Sequence, residues 1–139
     1  SPLQNQIIRG IKKTKTTAFI MNEKIDEGDI ILQKNLSLEG ELTDIFSRMV
    51  KNDFLMIQQI LQGKYHQRKQ KGKKSYYKRR NPKQSELKSL NHSKEYIYNF
   101  IRMLSDPYPN AFIKIGNKKI TFKSAKFEDK ELKIQGEIK

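Results

Sequence analysis

The chain has 139 residues, no Cys and a formal net charge of +14, from 29 Lys and Arg against 15 Asp and Glu. That length allows one modest core or two small layers. No run of about eighteen apolar residues is present to span a bilayer and no charged-then-apolar leader opens the sequence, while the lack of Cys excludes disulfides, thiol nucleophiles and thiolate metal sites. The expectation is a soluble, cytoplasmic protein with no membrane association, whose surface attracts polyanions such as nucleic acids and phosphorylated small ligands.

From Pro2 to Arg9, Leu3, Ile7 and Ile8 recur at helical spacing and Gly10 follows as a stop, which predicts a short helix. Thr16 to Met21 (TTAFIM) is apolar and β-branched, and a second such run opens at Ile30 and continues toward Leu38, so two strands are predicted with NEKIDEGD between them. Thr43 is the expected cap of a helix whose Ile45, Phe46, Met49, Val50, Phe54, Ile57, Ile60 and Leu61 form a broad apolar stripe ending at Gly63. Between Phe54 and Ser85 there is no acidic residue but many Lys and Arg, and little apolar periodicity, so a basic connector is expected there. A further helix carries Tyr96, Ile97, Phe100, Ile101 and Leu104, with Ser93 or Asn91 as cap, and stops at the breaker DPYP. The pattern then changes to strands: AFIKI, a turn at Gly116 and Asn117, KKITFKSAKF, and a second turn at Glu128 to Lys130.

Four of the 15 acidic residues, Glu23, Asp26, Glu27 and Asp29, fall in NEKIDEGDIIL. An ordinary polar turn accounts for that composition on spacing alone. A calcium loop fits less well, because its ligands alternate over a longer loop between helices rather than strands. The functional reading is a carboxylate at a strand end held beside a reacting centre to manage a proton, with Asp26 preferred because apolar Ile25 precedes it. In YYKRRNP a solvated basic run competes with a site in which adjacent arginines contact phosphate and the tyrosines offer a stacking face. His66 and His92 lie in polar sequence without metal-ligand partners, which predicts surface positions and no metal. The seven Gly are scattered and form no phosphate loop.

SPLQNQIIRGIKKTKTTAFIMNEKIDEGDIIL resembles the second half of the catalytic domain in formyltransferases that use 10-formyltetrahydrofolate, above all in (I/L)DxGDI(I/L). The stretches YYKRRNPKQSELKSL and YNFIRMLSDPYPNAFIKIGNKKITF are similar to the sugar-nucleotide, amino-arabinose branch of that family, with its RRxPxxSxL segment and DP-aromatic-PxAF turn, more than to methionyl-tRNA formyltransferase. The resemblance implies an α+β chain: the end of an α/β catalytic domain, strand hairpin plus long helix, over 1–63; a basic linker over 64–85; and a helix with an incomplete, OB-like antiparallel β unit over 86–139. It also implies formyl transfer from 10-formyltetrahydrofolate, as co-substrate, to the amino group of a nucleotide-linked amino sugar. Asp26 occupies the position of the family's catalytic Asp. Met21, Asn22, Glu23, Lys24, Ile25 and Asp26 lie where the family contacts the pterin, and Arg79, Arg80 and Tyr108 would hold the nucleotide diphosphate. The family's Asn and His belong to an upstream motif not found in this sequence, so the implied reading is a fragment that is inactive alone and partnered by the rest of the same enzyme. Gln84 departs from the acid frequent in the sugar branch. Methionyl-tRNA formyltransferase is the first alternative, with tRNA ranked below a nucleotide sugar as partner; a non-enzymatic RNA-binding module is the second, and a homo-oligomer is left open.

Overall fold

A computed structural model describes residues 2–73 and 75–139. Its elements divide into two units, Ser1–Ile11 with Tyr76–Lys139, and Lys12–Ser75. These boundaries cut the chain differently from the expected division at 63 and 85. The first helix joins the C-terminal part, because its Gln4 and Ile7 are buried and Gln4 faces the end of the later helix, Nε2 donating to the Met103 carbonyl at 3.5 Å. Residues of the basic connector join the hairpin, because Arg68 pairs with Ile30.

In the unit Lys12–Ser75, β1 (Lys13–Phe19) and β2 (Ile30–Ser37) form an antiparallel pair, with Lys13 opposite Ser37 and Phe19 opposite Ile30. β1 begins and ends earlier than its apolar run suggests, since Ile20 and Met21 have already left the ladder. Helix α2 (Leu42–Leu61) follows. Its start is set by Glu41 rather than Thr43: the Asp44 carboxylate accepts from the Glu41 N–H at 2.9 Å, an anionic side chain on the unpaired amides of a helix start. The apolar stripe is only partly buried. Leu42, Ile45 and Met56 face inward, whereas Phe54 is 61% and Leu61 82% exposed, with Val50 and Ile57 beside them on the open face. Polar contacts also seat the helix on the hairpin, Asn52 Nδ2 donating to Thr16 Oγ1 at 3.2 Å and to the Asn35 carbonyl at 3.0 Å.

In the other unit, α1 (Pro2–Ile8) packs on α3 (Lys94–Arg102), and a single 3-10 turn (Pro82–Ser85) precedes α3. Ser93 caps α3 as expected, its hydroxyl accepting from the Tyr96 N–H at 3.1 Å. β3 (Phe112–Ile115), β4 (Lys118–Glu128) and β5 (Glu131–Ile138) make an antiparallel meander in that order. The second turn is a two-residue one in which Asp129 (φ 50°) and Lys130 (φ 64°) are both left-handed, the geometry whose twist matches paired strands. Ile7, Leu87, Ile101, Met103, Leu104 and Ala111 are almost fully buried and form the centre of this unit. Among the described residues no helix is long and apolar enough to cross a membrane.

Candidate functional site

The acidic loop leaves the β1–β2 ladder at Ile20 and returns at Asp29, where the Ile20 N–H donates to the Asp29 carbonyl at 2.9 Å. Gly28 is what allows this closure: a Cβ there would lie 1.5 Å from the Ile20 carbonyl oxygen. Of the residues in IDEGD, Gly28 is therefore fixed by contact with backbone. At the loop's outer side the Asn22 Oδ1 accepts from the Lys24 N–H at 2.9 Å, and Asp26 sits at φ 57°, a left-handed conformation that Asp tolerates better than most residues.

Residues 67–70, expected to be part of a linker, act as a clamp on this loop. Arg68 exchanges both backbone hydrogen bonds with Ile30, at 2.8 and 2.9 Å, and its guanidinium donates to Gln33 Oε1. Gln67 Nε2 donates to Asp29 Oδ2 at 3.0 Å. Gln70 Nε2 donates to the carbonyls of Asp26 and Gly28, each at 2.8 Å. No periodicity marks these residues in the sequence, because one bridging pair and two amide side chains leave no apolar pattern.

The apolar residue before Asp26 does not cover it. Met21 is 86% and Ile25 90% exposed, and Asn22, Glu23, Lys24 and Asp26 are exposed with them. An apolar neighbour in sequence does not bury a residue that lies beyond the last ladder pair. The arrangement instead presents a carboxylate on a backbone fixed from behind by Gln70, with two bare apolar side chains in the same loop. Among the described residues no group of three His, Cys, Asp or Glu is placed to hold a metal ion.

Arg79, Arg80 and Tyr108 all belong to the other unit. Arg79 is exposed. Arg80 is half-buried, its guanidinium 6.0 Å from the centre of the Phe100 ring, and burial lowers its pKa from the ordinary value while Tyr96 acts in the opposite direction. Its Nη2 donates to the Gln84 carbonyl, and the Gln84 Oε1 accepts from the Asn81 N–H at 2.9 Å, so the RRNPKQ stretch is folded on itself. Tyr108 is half-buried in the turn after α3, its N–H bonded to the Ser105 carbonyl at 3.1 Å. The expected stacking pair is split: Tyr76 is exposed, while Tyr77 lies under the Arg9 guanidinium at 5.0 Å.

A cavity of about 440 Å³ opens beside Arg80 between α3 and the segment before it. His92, Tyr96 and Phe100 line its helical side and Leu87, Lys83 and Lys88 the other, with Asn81, Gln84 and Glu86 between. The ring centres of His92 and Tyr96 are 4.6 Å apart, and those of Tyr96 and Phe100 6.0 Å. His92 is on the surface as expected, but as one end of an aromatic ladder spaced by four residues. That spacing was visible in the sequence; the wall facing it was not, since it comes from an irregular segment.

Residues 82–139, which hold this cavity's helix and the meander, match the family model described as methionyl-tRNA formyltransferase, C-terminal domain. The likeness to formyltransferases extends upstream of that domain. A bifunctional polymyxin resistance protein ArnA from Wigglesworthia glossinidia brevipalpis is 31% identical over 99% of this chain and 22% of its own length. A methionyl-tRNA formyltransferase from Syntrophomonas wolfei is 29% identical over 91% of this chain and 42% of its own. The solved structure of methionyl-tRNA formyltransferase from Clostridium thermocellum superposes with a TM-score of 0.90 at 41% identity, over 99% of this chain and 61% of that one. The chain thus spans less than two thirds of each, and residues 82–139 are the part that the family model matches directly.

Proposed function

We propose that the chain is part of an enzyme that transfers a formyl group from 10-formyltetrahydrofolate to methionyl-tRNA. The observation that carries this reading is the 41% identity and TM-score of 0.90 to a methionyl-tRNA formyltransferase across 99% of the chain. The net charge of +14 is consistent with a polyanionic partner of that size. This reverses the order drawn from the YYKRRNP and DPYPNAF stretches, which favoured a sugar nucleotide.

In this reading Asp26 is the proton-handling carboxylate, presented at the tip of a clamped loop, and Met21 to Ile25 offer backbone groups and apolar side chains to the pterin. Arg79, Arg80 and Tyr108 contact phosphate on the acceptor. The meander is read as three strands of the small OB-like unit. Working location is the cytoplasm, where charged tRNA is met. Transfer of the nucleotide-sugar reading rests on one observation, the 31% identity to ArnA over nearly the whole chain, and it assigns the same arginines to a diphosphate.

Anisotropy with labelled tRNA across a salt series, set beside calorimetry with UDP- and TDP-linked amino sugars, separates the two. The tRNA reading expects affinity to fall steeply with salt, by a slope of roughly 0.9 for each phosphate neutralised, and no calorimetric signal from the sugars. Salt-insensitive sugar binding with no tRNA binding would favour the second reading. In the polypeptide that carries this chain, Asp26→Asn is expected to lower turnover by about two orders of magnitude or more with little change in unfolding midpoint. A near-normal rate would remove Asp26 from the chemistry, and RNA binding without any formyl transfer by the unsubstituted polypeptide would favour a plain RNA-binding module.

A further inference from the structure

We propose that the groove between α3 and the Asn81–Lys88 segment is a nucleotide site that stacks a single unpaired base and holds its phosphate. The inference rests on the RNA reading above only for the source of that nucleotide, which is either an unpaired RNA strand or a free mononucleotide. It concerns a place distinct from the Ile20–Asp29 loop and from Arg79 and Tyr108.

Three features of one cavity point to this ligand. Its volume of about 440 Å³ falls within the range of small-ligand sites, about 300–1,000 Å³. Its floor is apolar, with Leu87 2% and Phe100 5% exposed, and Tyr96 and His92 continue from Phe100 toward solvent as a tilted aromatic stack, neighbouring ring planes lying 28° and 36° apart. The open end of such a stack, at His92, accepts the face of any base, because stacking needs a π surface and no particular edge. At the rim, Lys83 and Lys88 are exposed cations on the segment opposite the rings, suited to a phosphate attached to the stacked base. Glu86 is the one carboxylate of the lining, and Gln84 and Asn81 supply amides, so exocyclic amino groups and ring nitrogens find acceptors and donors along the wall. A purely structural aromatic ladder would be covered on both faces. Here the end ring, His92, is exposed and Tyr96 only half-buried.

The test uses the 139-residue chain with three labelled or competing probes: a single-stranded adenine-rich RNA hexamer, a blunt RNA duplex and AMP. The expected result is that Tyr96→Ala weakens hexamer binding roughly tenfold while leaving duplex binding unchanged, and that Tyr96→Phe retains it. Because Tyr96 is half-buried, a second variant guards against a folding defect: Lys83→Ala with Lys88→Ala, both on the surface, is expected to weaken hexamer binding and flatten its salt dependence. Competition by AMP that is also lost in Tyr96→Ala identifies a free nucleotide as sufficient, and hexamer binding that AMP does not displace identifies the strand. Hexamer affinity unchanged in both variants would overturn the site. If in that case tRNA still binds in the salt-dependent way described above, the tRNA reading stands without this groove; if tRNA fails to bind as well, both readings fall.

Discussion

Around α3 the joins are apolar. Ile7 of α1, Ile101, Met103 and Leu104 at the end of α3, and Leu87, Ala111 and Phe122 from the segments flanking it are buried against one another. Around the β1–β2 hairpin, Leu36, Leu38, Leu42, Ile45 and Met56 are buried too, but amide contacts are added to them: Asn52 reaches from α2 to both strands, and Gln67, Arg68 and Gln70 reach to the loop and to Ile30. Burial of apolar area stabilises without regard to direction, whereas a hydrogen bond contributes only about 1 kcal/mol net yet demands a defined geometry. The difference teaches that stability in the α3 unit comes from packed volume, while in the hairpin unit much of the ordering serves to hold the Ile20–Asp29 loop in one shape. The open apolar face of α2 belongs to the same contrast, since the helix is seated by polar contacts and a few inward side chains rather than by its full stripe.

The strongest test of this comparison is Gly28→Ala. A methyl group 1.5 Å from the Ile20 carbonyl oxygen cannot be accommodated by a side-chain shift, since the obstacle is backbone. The loop must open or the ladder must end sooner, at a cost of about 3 kcal/mol or more. Chemical unfolding followed by hydrogen exchange should show this loss in Lys12–Ser75, with amides of the α3 unit unaffected below the global transition. A wild-type unfolding midpoint would mean that the loop is not held as described.

Ile101→Ala probes the other side. Ile101 is 1% exposed at the centre of the apolar unit, so truncation should remove about 2–5 kcal/mol, within the range for large-to-small changes in a core. A loss below about 1 kcal/mol would indicate that the unit relaxes around the cavity and that packed volume is not its main support.

Gln70→Ala should do less. Its amide holds two carbonyls, but the residue is exposed and water can replace it, so about 1 kcal/mol is expected. The sharper readout is local: faster exchange of the Ile30 and Arg68 amides, which bond each other's carbonyls beside the clamp. Unchanged exchange at both would remove Gln70 from the device that shapes the loop.

How much of this was legible beforehand follows from the same contrast. Apolar periodicity placed α1, α2, α3 and the meander, and glycine or paired turn residues marked both hairpin turns, because those elements are made by side-chain patterns and local backbone preferences. IDEGD singled out the loop. Its exposure was not legible, since Ile25 and Asp26 lie past the last paired residues and apolar character in one neighbour carries no information about what covers the tip. The clamp by residues 67–70 was hidden for a related reason: a lone bridge between Arg68 and Ile30 joins residues 38 positions apart with no repeat to betray it. The start of α2 moved from Thr43 to Glu41 because Asp44 can reach back to the Glu41 amide, a choice between neighbouring caps that sequence leaves even. The aromatic wall at His92, Tyr96 and Phe100 was written in the spacing, but a groove needs a second side, and Asn81–Lys88 acquires its position only by folding.

The smallest expected effect concerns an ionic cluster at the end of the meander's second strand. Glu128, at the end of β4, accepts from Lys126 at 2.5 Å and from Lys133 at 2.8 Å. The hydrogen bond from Lys126, then that from Lys133, hold its carboxyl below the ordinary value of 4.5. A carboxyl that titrates lower when folded than when unfolded contributes its stability above the unfolded value and loses it as pH falls through the folded one. The pair is solvent-exposed, with Lys126 71% exposed, so screening leaves little of that contribution. Glu128→Gln should therefore lower the melting midpoint slightly near neutral pH in low salt, with the difference disappearing in high salt and again in acid, below the range where the carboxyl is charged. Should the variant instead melt much earlier at neutral pH and high salt, the meander would depend on a directional polar contact as the Ile20–Asp29 loop does, and the contrast between the two units would no longer hold.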